Sequence, residues 1–121
     1  MANRSDERKE FLSDIITTAV EGGINYWARV LEYKFGFVGL SSGDGSAYAR
    51  ILDAEGEEHI VTLDKIASAL NKIVKNEVPG LASDYVKMIA GANFTNDAGD
   101  LDAELCDVIF QVAIFGDVIY G

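Results

Sequence analysis

The feature that most constrains the fold of this chain is an apolar run near its C-terminus, residues 105–115. Only Asp107 and Gln111 interrupt it, and Gly116 follows it. Acidic residues precede it, as is typical of a helix N-terminus, and Asp100 is the predicted N-cap. A helix that is apolar all round must be covered all round. We therefore expect this helix either at the centre of the fold or with one face buried in a second copy of the chain.

The rest of the sequence predicts three further helices and three strands. Apolar residues at helical spacing predict the helices, and β-branched and aromatic residues predict the strands. The predicted helices cover residues 6–21, 64–76 and 81–92, with Thr62 or Asp64 as the cap of the second; the predicted strands cover residues 24–37, 47–53 and 58–63. The strands follow one another with turn residues between them, which favours an antiparallel meander. The element order α-β-β-β-α-α-α indicates one α+β domain of 121 residues.

Residues 21–30 contain the single Trp and a double glycine between the first helix and the first strand. Gly22 and Gly23 are predicted to end the helix through positive φ. Strand alternation from Ile24 onwards would place Tyr26 and Trp27 on opposite faces of the strand, with Arg29 on the same face as Trp27. Both faces carry bulky side chains, so we expect a central strand or one covered on both sides.

Charge and composition exclude several classes of protein. The formal net charge is -10, which disfavours direct binding to nucleic acid. The same charge permits an acidic surface that occupies a basic groove of another protein. Cys106 is the only cysteine, which suggests a reducing compartment. A polar N-terminus predicts no signal peptide, and no apolar run has the length of a membrane span. We expect a cytoplasmic protein that is independent of membranes.

The sequence gives little support for catalysis or metal binding. His59 is the only histidine and lies on a predicted strand. A single histidine at such a position is usually exposed or hydrogen-bonded within the fold, without a catalytic or metal-binding role. Cys106 lies among apolar residues with no base close in sequence, which predicts a core cysteine. One Cys and one His so far apart do not form a structural zinc site. We therefore predict no metal, no cofactor and no enzymatic activity.

A ligand-binding cradle is a chemically reasonable alternative to a purely structural role for the aromatic and basic side chains of the strands. An aromatic ring can stack on a base, and a guanidinium can hold a phosphate through two hydrogen bonds. The candidate residues are Trp27, Arg29, Arg50, Phe94 and Asn96. The competing interpretation is an aromatic core with a strand arginine paired to Glu32 or another acid.

Four stretches of the chain resemble a family of small bacteriophage and prophage proteins, many of them without an assigned function. These stretches are EGGINYWA at residues 21–28, VTLDKI at 61–66, NDAGDLDA at 96–103 and FGDVIYG at 115–121. The chain is also similar to phage anti-defence proteins of the Thoeris type. That resemblance implies a non-enzymatic homo-oligomer in the host cytoplasm that traps a cyclic ADP-ribose derivative or a cyclic oligonucleotide. No motif of the family transfers binding residues to this chain.

The leading hypothesis is thus a ligand-sequestering protein with pockets near subunit boundaries, in which the apolar last helix forms the oligomer. On this hypothesis Arg29→Ala abolishes ligand binding and leaves the fold intact. The alternative is an acidic inhibitor that mimics nucleic acid and blocks a CRISPR or restriction complex. A third possibility, an enzyme that acts on a nucleotide, has the least support because no base, nucleophile pair or metal cluster is evident.

Overall fold

The computed structural model describes residues 5–34 and 47–121. Within these residues there are four α-helices and three strands: α1 (Asp6–Thr18), β1 (Ala28–Lys34), β2 (Tyr48–Asp53), β3 (Glu58–Thr62), α2 (Leu63–Val74), α3 (Ser83–Thr95) and α4 (Ala103–Phe115). A π-helical turn (Ala19–Gly23) extends α1, and a 3-10 turn (Ala98–Asp100) precedes α4. This order confirms the predicted α+β fold.

The strands form a three-stranded antiparallel sheet in the order β1-β2-β3, which confirms the predicted meander. Among the described residues β1 is an edge strand with one exposed face, so both predicted alternatives, a central strand and one covered on both sides, were wrong. It also starts at Ala28 rather than at Ile24, because the chain first passes through a turn at residues 24–27. A register shift near Leu31 leaves Arg29, Glu32 and Lys34 exposed. The predicted end of this strand at residues 35–37 and the loop to residue 46 lie outside the described residues.

The double glycine does not end the first helix in the predicted way. Ser5 caps α1 by accepting a hydrogen bond from the Arg8 N–H at 3.1 Å, and the helix continues through Gly22 and Gly23 as a π-helical turn. Neither glycine has positive φ. Gly23 instead allows a close approach to α4, because a Cβ there would lie only 2.7 Å from the backbone oxygen of Ala103. The second glycine is thus required by helix packing.

Helix α4 lies at the centre of the molecule, which confirms one of the two predicted solutions. Every residue from Leu105 to Val112 is buried within a single chain, and α4 contacts α1, α2, β3 and the π-helical turn. An oligomer was predicted because this apolar helix must be covered. A single chain buries residues 105–112 by itself, so the oligomer stays a prediction. The N-cap is Asp102, which accepts from the Leu105 N–H at 2.9 Å, and not Asp100, which belongs to the 3-10 turn. Gly116 ends the helix with φ of 77°.

The core lies between the inner face of the sheet and the helices. Ala49, Ile51 and Val61 supply the buried positions of the sheet, while α1 contributes Phe11 and Ile15. The other face of the sheet carries charged side chains such as Arg29, Glu32 and Arg50, together with the exposed Ile60. Throughout residues 5–34 and 47–121, no helix has both the length and the apolar character that a bilayer crossing requires.

The packing of the π-helical turn against α4 predicts opposite responses at adjacent glycines. Gly23→Ala should destabilise the fold by about 1–3 kcal/mol, because the new methyl group overlaps a backbone oxygen that cannot move independently. Gly22→Ala is the matched control: a Cβ there meets nothing within 4 Å, and Ala favours a helix by up to about 1 kcal/mol. Urea unfolding measures both. Equal effects of the two substitutions would contradict the close approach.

Candidate functional site

The two polar residues of the apolar helix form a buried network with the turn that precedes β1. Asp107 is 6% exposed. Its Oδ1 accepts from the indole Nε1–H of Trp27 at 2.8 Å, and its Oδ2 accepts from the Tyr26 hydroxyl at 2.6 Å. The side-chain amide of Gln111, one helical turn further on, donates to Oδ1 at 3.0 Å. Three donors thus compensate the burial of this carboxylate.

Gln111 also binds the C-terminal tail, residues 116–121, to the body of the fold. Its side chain is fully buried. Oε1 accepts from the backbone N–H groups of Ile119 and Tyr120, both at 2.8 Å, and Nε2 donates to the Tyr120 backbone oxygen at 3.1 Å. One glutamine therefore satisfies three backbone groups of the tail and still contacts Asp107.

The tail in turn covers Trp27. The Tyr120 ring stacks on the Trp27 ring with 4.9 Å between centroids and 8° between planes. Phe115 packs against Trp27 at 5.8 Å and against His59 at 5.4 Å. These rings form a continuous aromatic layer from the turn before β1 to the hairpin of β2 and β3.

A cleft of about 560 Å³ opens beside this network, and we call it the tail cleft. Its walls come from the π-helical turn, the turn after it, α3, α4 and the tail. The lining residues are Gly22, Gly23, Tyr26, Tyr85, Glu104, Asp107, Val108, Val118, Tyr120 and Gly121. The Tyr85 hydroxyl donates to the Glu104 carboxylate at one wall. The cleft thus presents three tyrosines and two side-chain carboxylates, and none of its described lining residues is Lys or Arg.

Two potential nucleophiles, Tyr26 in the cleft lining and Cys106 in the core, have raised pKa values. The Tyr26 ring is 61% exposed, but partial burial of its hydroxyl, together with the hydrogen bond to Asp107, raises the pKa to about 12. Burial likewise raises the pKa of the Cys106 thiol to about 12. Both groups are neutral at physiological pH, so neither is an activated nucleophile.

The predicted site residues lie in different environments. Trp27 is 3% exposed, and Tyr120 occupies one face of its ring. Phe94 is 89% exposed on the last turn of α3. Asn96 caps the same helix in the left-handed region, and its Oδ1 accepts from the Arg8 guanidinium at 2.8 Å. Phe94 and Asn96 therefore belong to the region where α3 ends near α1.

The two arginines lie on the exposed face of the sheet. Arg50 contacts Glu32 at 3.3 Å and Glu58 at 3.1 Å, which confirms the competing interpretation of a strand arginine paired to acids. Arg29 is exposed on the neighbouring strand. Strand alternation predicted that Arg29 shares a face with Trp27, and this prediction was wrong. Trp27 precedes β1 and is buried, whereas Arg29 lies on the strand and is exposed.

A second polar cluster lies at the hairpin turn between β2 and β3. His59 Nε2 lies 2.7 Å from Asp53 Oδ2. Asp53 Oδ1 accepts from the backbone N–H groups of Glu55 at 2.8 Å and Glu57 at 2.9 Å. The hydrogen bond to His59, followed by that from the Glu57 backbone, lowers the pKa of Asp53. His59 is thus paired with a carboxylate that sequence spacing did not bring to attention.

Sequence reasoning missed the residues around which this site is built. Asp107 and Gln111 were noted only as interruptions of an apolar run, although their i, i+4 spacing places them on one face of the helix. Tyr26 and Trp27 were assigned to opposite faces of a strand, but they lie in a turn and both donate to Asp107. Two isolated polar residues in a buried helix are the signal that predicts such a network.

Comparisons with protein-family models, with curated proteins and with solved structures find no match for this chain. The candidate site is therefore interpreted from its own geometry.

Removal of the Gln111 side-chain amide tests its role in holding the tail. Gln111→Leu should lower the free energy of unfolding by about 1–3 kcal/mol, because buried backbone groups lose their partners. Amide hydrogen exchange at Ile119 and Tyr120 should accelerate. Asp117→Asn is the control, since it alters the exposed part of the tail and keeps an acceptor for Val118. Unchanged amide hydrogen exchange at Ile119 and Tyr120 in Gln111→Leu would show that contacts other than those of Gln111 hold the tail.

The raised pKa of Tyr26 predicts a loss of stability at alkaline pH. In the unfolded chain this phenol ionises near its ordinary pKa of 10.0, and in the folded protein at about 12. Its contribution is therefore complete below pH 10 and is lost as the pH rises towards 12. Urea unfolding as a function of pH should show a shallower alkaline loss for Tyr26→Phe than for the wild type. Parallel curves would exclude the contact with Asp107 as a titrating interaction.

Proposed function

We propose that the protein is a non-enzymatic binding protein that sequesters a nucleotide-derived signal, with the nucleoside part of the ligand in the tail cleft. The observation that carries this proposal is the combination of three tyrosines with two carboxylates around a cleft of about 560 Å³. Small-molecule sites have volumes of roughly 300–1,000 Å³. The resemblance to phage anti-defence proteins supports the role of sequestration in the host cytoplasm.

The chemistry of the lining matches a base and a ribose better than a phosphate. The half-exposed Tyr26 ring offers a surface on which a base can stack. Carboxylates such as Glu104 accept hydrogen bonds from ribose hydroxyls, as acidic residues do in dinucleotide-binding folds. With no Lys or Arg in the lining, phosphate groups gain no partner inside the cleft. We therefore place them at its mouth, towards solvent.

Two features of the residues support binding without catalysis. The oxygens of Asp107 already accept three hydrogen bonds from the protein, so they are occupied by partners within the fold. Tyr26 and Cys106 keep their protons at physiological pH because their pKa values are raised to about 12. An oligomer is not required for this cleft, since one chain supplies all its walls.

Titration calorimetry with cyclic ADP-ribose derivatives tests the proposal. Tyr26→Ala should weaken binding about tenfold or more, because stacking of a base on an aromatic ring is worth about 1–3 kcal/mol. Arg29→Ala is the discriminating control: it lies outside the tail cleft lining and should leave the affinity unchanged. Thermal unfolding verifies that both variants fold.

The outcomes separate the competing sites. Loss of binding in Arg29→Ala with full binding in Tyr26→Ala would move the site to Arg29 on the exposed face of the sheet, away from the tail cleft. Absence of heat with every nucleotide signal would contradict sequestration. Mass spectrometry of the recovered ligand distinguishes an enzyme, since sequestration returns the ligand intact.

An acidic protein–protein inhibitor is the second candidate, and one specific observation favours it. Glu7, Glu10 and Asp14 recur along one face of α1 and line a shallow groove together with Asp97. Burial and the neighbouring Glu10 raise the pKa of Asp14, as expected where carboxylates crowd. Combined with the net charge of -10, this groove is suited to a basic partner surface. This candidate predicts no nucleotide binding in the calorimetric titration.

A further inference from the structure

Three potential metal ligands converge at the hairpin turn between β2 and β3. One ligand atom each of Asp53, Glu57 and His59 can be chosen so that all three lie within 4.8 Å of one another. The register of the hairpin explains this: Asp53 faces Glu57, as the Asp53 N–H donates to the Glu57 backbone oxygen at 2.8 Å, and His59 follows two residues later on the same face.

The turn holds the Asp53 carboxylate in one orientation. Two backbone N–H groups, those of Glu55 and Glu57, donate to Oδ1. Gly56 has φ of 85°, which permits the tight turn that aims these N–H groups at the carboxylate. Oδ2 is thereby directed at His59. Ligating carboxylates are commonly fixed in this way, with one oxygen hydrogen-bonded to the protein and the other on the metal.

The imidazole of His59 is also fixed in place. Its ring packs edge-on against Phe115 at 5.4 Å, and its Nε2 is the atom that faces Asp53. Asp53 is buried, His59 is half-buried and Glu57 is exposed. Two ligands are thus held by the fold, and the third can rotate into position from the solvent side.

We propose that Asp53, Glu57 and His59 form a binding site for a divalent transition-metal ion, with Zn²⁺ as the best match. A mixed set of imidazole and carboxylate ligands suits zinc and its neighbours, whereas Ca²⁺ and Mg²⁺ prefer oxygen ligands alone. Bonds of about 2.0–2.2 Å to N and O ligands require the contact between His59 and Asp53 to open by roughly half an ångström. The remaining coordination positions take water or a ligand.

Metal binding replaces the hydrogen bond between His59 and Asp53. Nε2 must offer its lone pair, so a proton on Nε2 moves to Nδ1 in the neutral imidazole and leaves to solvent from the charged form. Cys106 does not compete for the ion, because it is buried in the core. No metal site was predicted from the sequence because His59 has neighbouring acids but no second His or nearby Cys, and the approach of Asp53 is visible only in the structure.

Calorimetric titration of the untagged protein with ZnCl₂ tests the site, and Co²⁺ absorption reports the coordination of His59. One ion should bind per chain. Glu57→Gln and His59→Gln should each weaken binding by about tenfold or more. Glu55→Gln is the matched control: it removes the same charge from the same turn, outside the ligand cluster, and should bind as the wild type does.

Each outcome decides the proposal. A lack of Zn²⁺ binding at micromolar concentrations would overturn it, as would binding that survives both Glu57→Gln and His59→Gln. An equal loss of Zn²⁺ affinity in Glu55→Gln and Glu57→Gln would mean that acidic residues attract the ion without coordinating it. That result would also overturn the proposal. Circular dichroism of each variant verifies folding, and Glu57 and Glu55 are both exposed positions at which the fold should tolerate glutamine.

Discussion

The fold depends on the hydrogen bonds that compensate the burial of one carboxylate, that of Asp107. Asp107 lies in a helix whose residues 105–112 are all buried and, apart from Asp107 and Gln111, apolar or cysteine. An ionised group at such a position is costly unless the fold surrounds it with donors. Tyr26, Trp27 and Gln111 supply them. The turn before β1 and the central helix are thereby fixed to one another, and Gln111 extends the same network to the C-terminal tail.

The fold was largely predictable from the sequence because its elements follow hydrophobic periodicity. The apolar run of α4 predicted either a central helix or one buried against a second copy, and the structure shows the central position. The local errors have a common cause, which is that backbone geometry was inferred from residue type alone. Gly22 and Gly23 predicted a helix end with positive φ, but the helix continues and Gly23 serves the contact with α4. Asp100 and Asp102 are equally good caps by composition, and only the 3-10 turn decides between them.

The candidate site was less predictable, because long-range contacts create it. Tyr26 and Asp107 are separated by 81 positions, and no local pattern connects them. The same applies to the tail, whose Tyr120 covers the face of Trp27 that sequence reasoning had assigned to a ligand. The pairing of Arg50 with acids was the interpretation that competed with a ligand role, and Glu32 lies opposite Arg50 on the neighbouring strand. The register shift near Leu31, on either side of which Arg29 and Glu32 are exposed, was not predicted from the sequence.

The aromatic layer connects the two proposed sites. Tyr120 lines the tail cleft and stacks on Trp27, which contacts Phe115, and Phe115 packs against His59. A ligand beside Tyr26 and an ion beside His59 would therefore contact opposite ends of the same aromatic layer. The acidic lining of the cleft and the paired state of Arg50 together argue for recognition of the nucleoside rather than the phosphate.

The most direct test of the central claim uses the single Trp as a reporter. In a ¹H–¹⁵N correlation spectrum the one indole N–H signal belongs to Trp27, which donates to Asp107 behind the tail cleft. On addition of a cyclic ADP-ribose derivative, we predict that this signal and the Tyr120 amide shift together. Shifts at Arg29 and Arg50 with an unchanged indole signal would contradict a ligand site in the tail cleft.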